Sequence, residues 1–187
     1  MTTLTGPLEE QIRSVVNIAV RAPSTHNSQP WKFSIENNTL SVFVDESVRM
    51  PKSDPEGRYK FISVGYLLHH LQVVGNYYGV LENTTITPNE DSIAKLSFKE
   101  SSSDSSNDEY KELFKAIEKR QNLRGPFSDT AEIDVVKNTL AANVHTPSEV
   151  HVELLAVKEQ IHTIAELTAE SMRRVYRDPE FRKEMSM

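Results

Sequence analysis

The densest group of side chains that could bind a ligand lies in residues 21–33, RAPSTHNSQPWKF. Ser24, Asn27 and Gln29 are polar, and the prolines around them restrict the backbone, so the segment is predicted to form a rigid turn. Amide and hydroxyl groups held on such a turn, beside a helix end, can recognise the polar edge of a bound molecule. The alternative is structural: the segment stops a helix, satisfies turn backbone groups and starts a strand at Trp31.

A second candidate segment is KRQNLRGPF, residues 119–127. Arg120 and Arg124 are one helical turn apart, and Gly125 with Pro126 ends the helix directly after them. Two guanidinium groups beside a turn can hold a phosphate through paired, charge-assisted hydrogen bonds. A pair at this spacing is otherwise usually a solvated helix face. Together the two segments suggest a phosphorylated ligand with an extended polar middle and a planar end.

Several other chemistries are excluded by the sequence. The chain has no Cys, so it has no thiolate nucleophile, disulfide or Cys-based metal site. It also lacks a G-x-G-x-x-G pattern, a P-loop and zinc-type His spacing. His69 and His70 are adjacent, and neighbouring helical residues point about 100° apart, so they grip one metal ion poorly. We expect no metal site, with one of the two histidines in a core or interface and the other exposed.

Length and composition limit the size of the core and the class of protein. A chain of 187 residues is long enough for one substantial core or for two small lobes that share one core. With 37% hydrophobic and 26% charged residues, its composition is that of a globular protein. The net charge of −6 argues against a general nucleic-acid surface. No apolar run is long enough to span a bilayer, and the N-terminal residues do not resemble a secretory signal. A cytoplasmic location is therefore expected.

Hydrophobic periodicity predicts the elements that position these segments. The segment RYKFISVGYLLHHLQVVGNYYGV, residues 58–80, is apolar almost all round and predicts a long helix buried on most of its surface. Gly65 and Gly75 within it lower helix propensity, so we expect them to serve core packing or the close approach of a helix or ligand. The predicted elements before residue 100 are a helix from 8 to about 21, strands at 32–36 and 39–44 joined by a turn at 37–38, the helix at 58–80, and a strand at 93–98.

The segment ESSSDSSNDE, residues 100–109, contains no apolar residue and predicts a flexible linker. Beyond it the pattern predicts helices around 109–120 and 131–142, a strand at 149–157 and an amphipathic helix at 158–176. This order indicates an α+β fold and differs from the regular alternation of a Rossmann fold.

The candidate segments resemble the signatures of the nitroreductase-like flavoproteins. Residues 22–33 match the family pattern A-P-S-x-x-N-x-Q-P-W at every specified position, and residues 63–80 look like the family's central helix. Residues 119–127 resemble the R-R-x-x-R-x-F phosphate-binding segment, with one extra residue before the phenylalanine. Because the A-P-S segment comes first, the order resembles the two-repeat branch of the family, in which one chain imitates both subunits of a dimer.

This resemblance implies a nitroreductase-like fold, with an antiparallel or mixed sheet flanked by helices and a long buried central helix. It implies a first repeat at 1–99, a linker at 100–109 and a partial second repeat at 110–187, because two-repeat members usually run well beyond this length. The chain would then be a shortened form, or it would complete its fold by pairing. The apolar face expected on residues 158–176 favours pairing, so a homodimer is predicted.

The resemblance also implies an FMN site, with NAD(P)H as electron donor. The flavin would carry the chemistry, so no side chain is expected to be catalytic in its own right. His26 would donate to flavin or substrate, or would simply be a turn residue facing solvent. The cofactor-binding residues would be Pro23, Ser24, Asn27 and Gln29 on the ribityl and ring side, and Arg120 and Arg124 at the phosphate, with Asn122 assisting.

The implied function is an oxidoreductase that transfers hydride from NAD(P)H through flavin N5 to a small nitroaromatic or quinone-like acceptor. One alternative is an FMN-binding or storage protein without turnover. Another is a flavin-free dimer that serves an interaction.

Overall fold

The computed structural model describes residues 4–87, 91–100, 107–122, 135–136, 138–140, 150–155 and 157–186. The chain divides into two compact units, Met1–Gln121 and Asn122–Met187. The first unit contains α1 (Leu8–Ala19), β1 (Trp31–Glu36), β2 (Thr39–Val44), α2 (Arg58–Tyr77), β3 (Leu81–Ile86), β4 (Ala94–Phe98) and α3 (Lys111–Lys119). The second contains α4 (Lys158–Val175) and α5 (Pro179–Glu184).

The four strands form one antiparallel sheet in the order β1-β2-β4-β3. β1 and β2 make a hairpin in which Glu36 pairs with Thr39, and Asn37 takes the left-handed turn conformation with φ of 55°. Asparagine tolerates this conformation better than most residues. The predicted strands at 32–36, 39–44 and 93–98 are thereby confirmed, and so is the α+β class.

The core of the first unit lies between α1, α2 and the sheet. Side chains spaced at helical intervals on α1 and α2 meet alternate side chains of β2 and β4, as the periods of the two structures require. The largest contributors are fully or almost fully buried: Ile12, Val15, Val64, Leu67, Leu71, Val74, Leu40, Val42, Leu96 and Phe98.

Helix α2 has 20 residues, half of which are buried. Although its sequence is apolar almost all round, only part of its surface meets α1, the sheet and α3. Around its N-terminal half four large apolar side chains are about half exposed: Tyr59, Phe61, Ile62 and Tyr66. The expected burial on most of the helix surface is therefore not observed.

Strand β3 was not predicted, and α2 ends at Tyr77 instead of near residue 80. The strand reads LENTTI and lies at the sheet edge, where its polar side chains remain largely exposed, so it lacks the apolar alternation that marks a strand. Gly75 explains how β3 lies so close to α2. A Cβ atom on Gly75 would lie 2.9 Å from the Cβ of Leu81, so the glycine permits the close approach of a strand.

Helix α3 confirms the helix predicted around 109–120. It docks through Phe114, whose ring stacks on Tyr77 with centroids 4.1 Å apart. Asn107 begins this region: its N–H donates to the Tyr77 carbonyl at 2.8 Å, and its side chain accepts the Glu109 N–H at 3.0 Å. Part of the predicted linker, residues 101–106, lies outside the described residues, whereas 107–109 form an ordered helix start. The two units divide at 121/122, at a different place from that linker.

In the second unit, α4 confirms the predicted amphipathic helix. Helix α5 was not predicted, although Asp178 caps it by accepting the Glu180 N–H at 2.8 Å and Pro179 occupies its first turn. The predicted strand at 149–157 is wrong for residues 150–155 and 157, which are irregular and exposed. Alternation alone does not make a strand, because a strand also needs a partner for its backbone groups.

Of the predicted helix at 131–142, residues 135–136 and 138–140 are helical and the remainder lies outside the described residues. Within the described ranges, no helix has both the length and the hydropathy that crossing a membrane requires.

Candidate functional site

The polar turn, residues 23–29, connects α1 to the start of β1. His26, Asn27 and Gln29 have φ of 53°, 58° and 47°, in the left-handed region. Backbone of this kind costs on the order of 1–3 kcal/mol for a residue other than glycine, less for asparagine, and persists only where surrounding contacts hold it. The turn is therefore a specifically held conformation.

Hydrogen bonds from two directions hold the turn. Within it, the Gln29 N–H donates to the Ser24 hydroxyl oxygen at 3.0 Å. From α2, the Ser63 hydroxyl oxygen accepts the Thr25 N–H at 3.2 Å, and its own proton goes to the Tyr59 carbonyl at 2.7 Å. Ser24 thus has the structural role that the sequence offered as an alternative to ligand binding.

The two amide side chains of the turn point to a different role. Asn27 and Gln29 are exposed, as is His26, while Pro23 and Ser24 are half-buried. The Gln29 Nε2 donates to the Val20 carbonyl at 3.4 Å, a long contact that leaves its side-chain oxygen uninvolved in that bond. The fixed turn therefore presents amide groups that can both donate and accept hydrogen bonds.

Arg120 lies beside the same turn. It follows the last residue of α3, and its guanidinium group donates to the Arg21 carbonyl at 3.1 Å. This contact joins positions 99 residues apart in the sequence. The structure thus brings Arg120 next to the segment that contains Pro23, Ser24, Asn27 and Gln29. Asn122 is exposed and belongs to the second unit, and Arg124 lies outside the described residues.

His70 of α2 is buried in the core near the end of α1. It is 7% exposed, and its Nδ1 has no hydrogen-bond partner among the described residues. Burial lowers the pKa of His70 from 6.5, against the opposing effect of the Ala19 backbone, and the charges of His69 and Arg120 lower it further. The imidazole is therefore neutral at pH 7. Since His69 is exposed, the predicted division between the two histidines is confirmed.

Asp45 supports the other end of the turn. Its N–H donates to the Pro30 carbonyl at 3.0 Å, and its carboxylate pairs with the Lys32 Nζ at 2.9 Å. Hydrogen bonds from the side chain of Ser47 and from Lys32 hold the pKa of Asp45 at about 2, so the carboxylate stays charged across the physiological range. The residue before Trp31 is thereby attached to the end of β2.

Two surface hollows of the first unit lie elsewhere. One, of about 250 Å³, is lined by α1 and β1, and the other, of about 460 Å³, by α2, β3 and residues 110–113. Their described lining includes no residue of the polar turn. The candidate site is therefore defined by its hydrogen-bonding groups and not by either hollow.

Sequence reasoning missed Ser63 and Asp45 as supports of the site. Each contacts the turn or its flank from a distant part of the chain, and neither stands in a motif of its own. The polar character of Ser63 within an otherwise apolar helix is the one signal that could have drawn attention to it.

No family model matches the chain. It is similar to "Putative NAD(P)H nitroreductase acg" of Mycobacterium tuberculosis, with 31% identity over 165 residues, which are 87% of this chain and 49% of that protein. It is also similar to "Putative NAD(P)H nitroreductase Rv3131" of the same organism, with 40% identity over 67 residues, covering 36% of this chain and 20% of that protein. "Uncharacterized protein Rv3127", also from this organism, is 39% identical over 66 residues, covering 33% of this chain and 19% of that protein.

The chain spans about half the length of acg, the curated relative that it matches over most of its own residues. These similarities support the resemblance to nitroreductase-like proteins that the A-P-S and arginine segments indicated.

Proposed function

We propose that this chain forms part of an FMN-dependent oxidoreductase that transfers hydride from NAD(P)H to a nitroaromatic or quinone-like acceptor. The names of the similar proteins support the reaction class. The observation that carries the proposal is the arrangement of the polar turn, which exposes the amides of Asn27 and Gln29 and follows Arg21, whose carbonyl accepts a hydrogen bond from the guanidinium group of Arg120.

The chemistry of these residues fits FMN. Carboxamides donate and accept at once, which suits the mixed donors and acceptors of a ribityl chain and a flavin ring edge. In the proposal, Pro23 and Ser24 line the same side as Asn27 and Gln29. The phosphate group is assigned to guanidinium groups, which bind phosphate in a bidentate manner. These are Arg120 and Arg124, with Asn122 assisting.

Bound FMN would supply the redox chemistry, with hydride accepted from NAD(P)H at flavin N5 and then passed to the oxidised acceptor. The chain's own residues bind and orient. A turn already held in one backbone conformation loses little entropy when a ligand binds to it, so its amides contribute more of their interaction energy to affinity. His26, exposed on the same turn, is proposed to donate a hydrogen bond to flavin or substrate.

The first experiment is an FMN titration of the purified chain, followed through the flavin absorption band at about 450 nm. Saturable binding is expected. NADPH oxidation with menadione or nitrofurazone as acceptor then measures turnover. Binding with turnover supports the oxidoreductase, binding without turnover supports an FMN-storage protein, and a chain that binds no FMN refutes both.

The phosphate assignment has its own variant. Arg124→Ala should weaken FMN binding by roughly 1.5–3 kcal/mol, the contribution of a charge-assisted contact. Arg13→Ala is the matched control, because Arg13 is an exposed arginine of α1 that forms an ion pair with Glu9 of the same helix. Equal FMN affinity in the two variants would show that Arg124 does not hold the phosphate.

We also propose that the chain forms a homodimer. Helix α4 exposes several large apolar side chains at helical spacing, namely Ile161, Ile164, Leu167, Met172 and Val175. Contiguous apolar surface of this kind usually marks a protein interface. Light scattering at micromolar concentration should give a dimer for the wild type and a monomer for Leu167→Glu, and a monomeric wild type would refute the proposal.

A further inference from the structure

The left-handed part of the polar turn lies between two hydrogen bonds to distant parts of the chain. Before it, the Ser63 hydroxyl oxygen of α2 accepts the Thr25 N–H at 3.2 Å. After it, the Pro30 carbonyl accepts the Asp45 N–H at 3.0 Å. Between these two points lie three residues with positive φ, namely His26, Asn27 and Gln29. The second bond joins backbone groups, so the first is the one that depends on a side chain.

We infer that Ser63 is a positioning residue for the polar turn. Its hydroxyl fixes the backbone at Thr25, and this holds the residues that follow in the conformation that presents the amides of Asn27 and Gln29. Ser63 is 1% exposed, so it acts through the turn and not by touching a ligand. The inference rests on the proposed function only in taking FMN to be the ligand that these amides bind.

The Ser63 hydroxyl is oriented to accept a hydrogen bond from the turn. Its proton goes to the Tyr59 carbonyl, one helical turn earlier in α2, at 2.7 Å. A serine hydroxyl has one proton and two lone pairs, so the oxygen that faces Thr25 acts there as an acceptor. The residues around it are firmly packed, because Val64 and Leu67 of the same helix are buried in the core. The acceptor is therefore held in place by α2.

The Thr25 N–H needs an acceptor from outside the turn, because it lies at the start of a three-residue 3₁₀ turn. Within that turn, the Ser24 carbonyl accepts the Asn27 N–H and the Thr25 carbonyl accepts the Ser28 N–H, both at 3.0 Å. The first N–H groups of a helical turn have no acceptor inside it. Without the Ser63 oxygen, this partly buried N–H would lose its acceptor and the strained residues after it would lose their anchor.

Ser14 of α1 provides a matched control for the bond within the helix. Its hydroxyl donates to the Glu10 carbonyl at 2.9 Å, the same backward bond that Ser63 makes to Tyr59. The two serines differ in the second contact, because Ser63 also accepts an N–H from a residue 38 positions away. An effect of Ser63→Ala that Ser14→Ala does not share therefore reports on the contact with the turn.

The test compares Ser63→Ala, which removes the acceptor, with Ser63→Thr, which keeps a hydroxyl, and with Ser14→Ala. The first measurement is hydrogen exchange of peptides covering residues 22–31, followed by mass spectrometry without any ligand. Exchange should become about tenfold faster in Ser63→Ala, as expected for the loss of one partly buried hydrogen bond. It should stay near the wild-type rate in the other two variants. Equal exchange in Ser63→Ala and Ser14→Ala would overturn the inference whether or not FMN binds.

FMN affinity distinguishes positioning from simple stabilisation. A serine that only stabilised the fold would lower the urea midpoint and leave the affinity of the folded chain unchanged. A positioning role predicts about tenfold weaker FMN binding in Ser63→Ala and near-wild-type binding in Ser63→Thr. Riboflavin, which lacks the phosphate, should lose the same factor, because the affected contacts are those of the turn.

The outcomes separate the inference from the proposed function. Faster exchange in Ser63→Ala with unchanged affinity for FMN and riboflavin would make Ser63 a structural residue only. If Ser63→Thr behaves like Ser63→Ala in both measurements, the effect belongs to packing and the hydrogen-bond role is overturned. If the wild type binds no FMN but Ser63→Ala still accelerates exchange at 22–31, the proposed function fails and the anchoring of the turn by Ser63 stands.

Thr25→Pro removes the same hydrogen bond from the donor side, so it also serves if Ser63→Ala does not fold. Proline suits this position because Ser24 before it already has extended backbone, with φ of −138° and ψ of 156°, and Thr25 is not among the residues with positive φ. Thr25→Pro should weaken FMN binding, and adding Ser63→Ala to it should weaken binding no further. Additive losses would show that Ser63 acts through another contact and would overturn the inference.

Discussion

Replacing Phe114 with alanine should detach α3 and, with it, Arg120. The Phe114 ring is 4% exposed, stacks on Tyr77 at 4.1 Å and meets Tyr78 edge-on at 5.5 Å. Truncating a buried phenylalanine to alanine costs about 3–5 kcal/mol, of which an aromatic pair supplies about 0.5–1.5 kcal/mol beyond area burial. Because α3 has nine residues and its other buried side chain is Ile117, it can detach before the rest of the unit unfolds. We therefore expect the lower end, about 3 kcal/mol.

Urea unfolding monitored by fluorescence measures this loss, since Trp31 is the chain's one tryptophan and is 8% exposed. Leu113→Ala is the control, because Leu113 is the neighbouring residue of α3 and is 47% exposed, so its truncation should cost less than about 0.5 kcal/mol. Phe114→Ala should also accelerate hydrogen exchange across residues 111–120 and weaken FMN binding. If Phe114→Ala and Leu113→Ala destabilise equally, the stacking on Tyr77 does not dock α3 and the reasoning is refuted.

Two further predictions concern α2. Gly75→Ala should destabilise the first unit by about 1–3 kcal/mol, because the added Cβ would lie 2.9 Å from the Cβ of Leu81. Gly65→Ala is the control and should be neutral or stabilising, because no described atom lies within 4 Å of a Cβ at that position. Equal urea unfolding midpoints for the two variants would show that the close approach of Leu81 to Gly75 does not matter for stability. His70 is held below its ordinary pKa of 6.5 in the folded chain, so the unfolded chain binds the proton first and stability should fall as the pH drops below about 6.5. The melting temperature should therefore fall more between pH 7 and pH 5 for the wild type than for His70→Gln, and parallel curves would show that His70 is not responsible.

The elements that could be predicted from sequence are those whose burial follows one period. β1, β2 and β4 alternate because one face meets the core, and α1, α3 and α4 have an apolar stripe. β3 could not be predicted because it has no apolar alternation. It forms because it pairs at the edge of the sheet and because Gly75 leaves room for it beside α2. The error at 149–157 has the opposite cause: the alternation is present but, in the described residues, no strand pairs with it.

The candidate site shows a similar limit. The polar turn could be located because its residues are contiguous and proline-bounded. Its supports could not, because Ser63 and Arg120 reach it from 38 and 99 positions away in the sequence, through packing that no local pattern specifies. The roles of the site residues at FMN, the repeat boundaries and the cytoplasmic location stay predictions.

The structural and ligand-binding interpretations of the polar turn apply to different residues within it. Ser24 accepts a backbone N–H, Trp31 is buried at the start of β1, and both serve the fold. Asn27 and Gln29 are exposed on left-handed backbone, with φ of 58° and 47°. The strain retained at these exposed polar residues, with hydrogen bonds to the turn and its flank from Ser63 of α2 and from Arg120, supports the proposal that the turn binds a ligand. The turn is thus where ligand binding should be measured first.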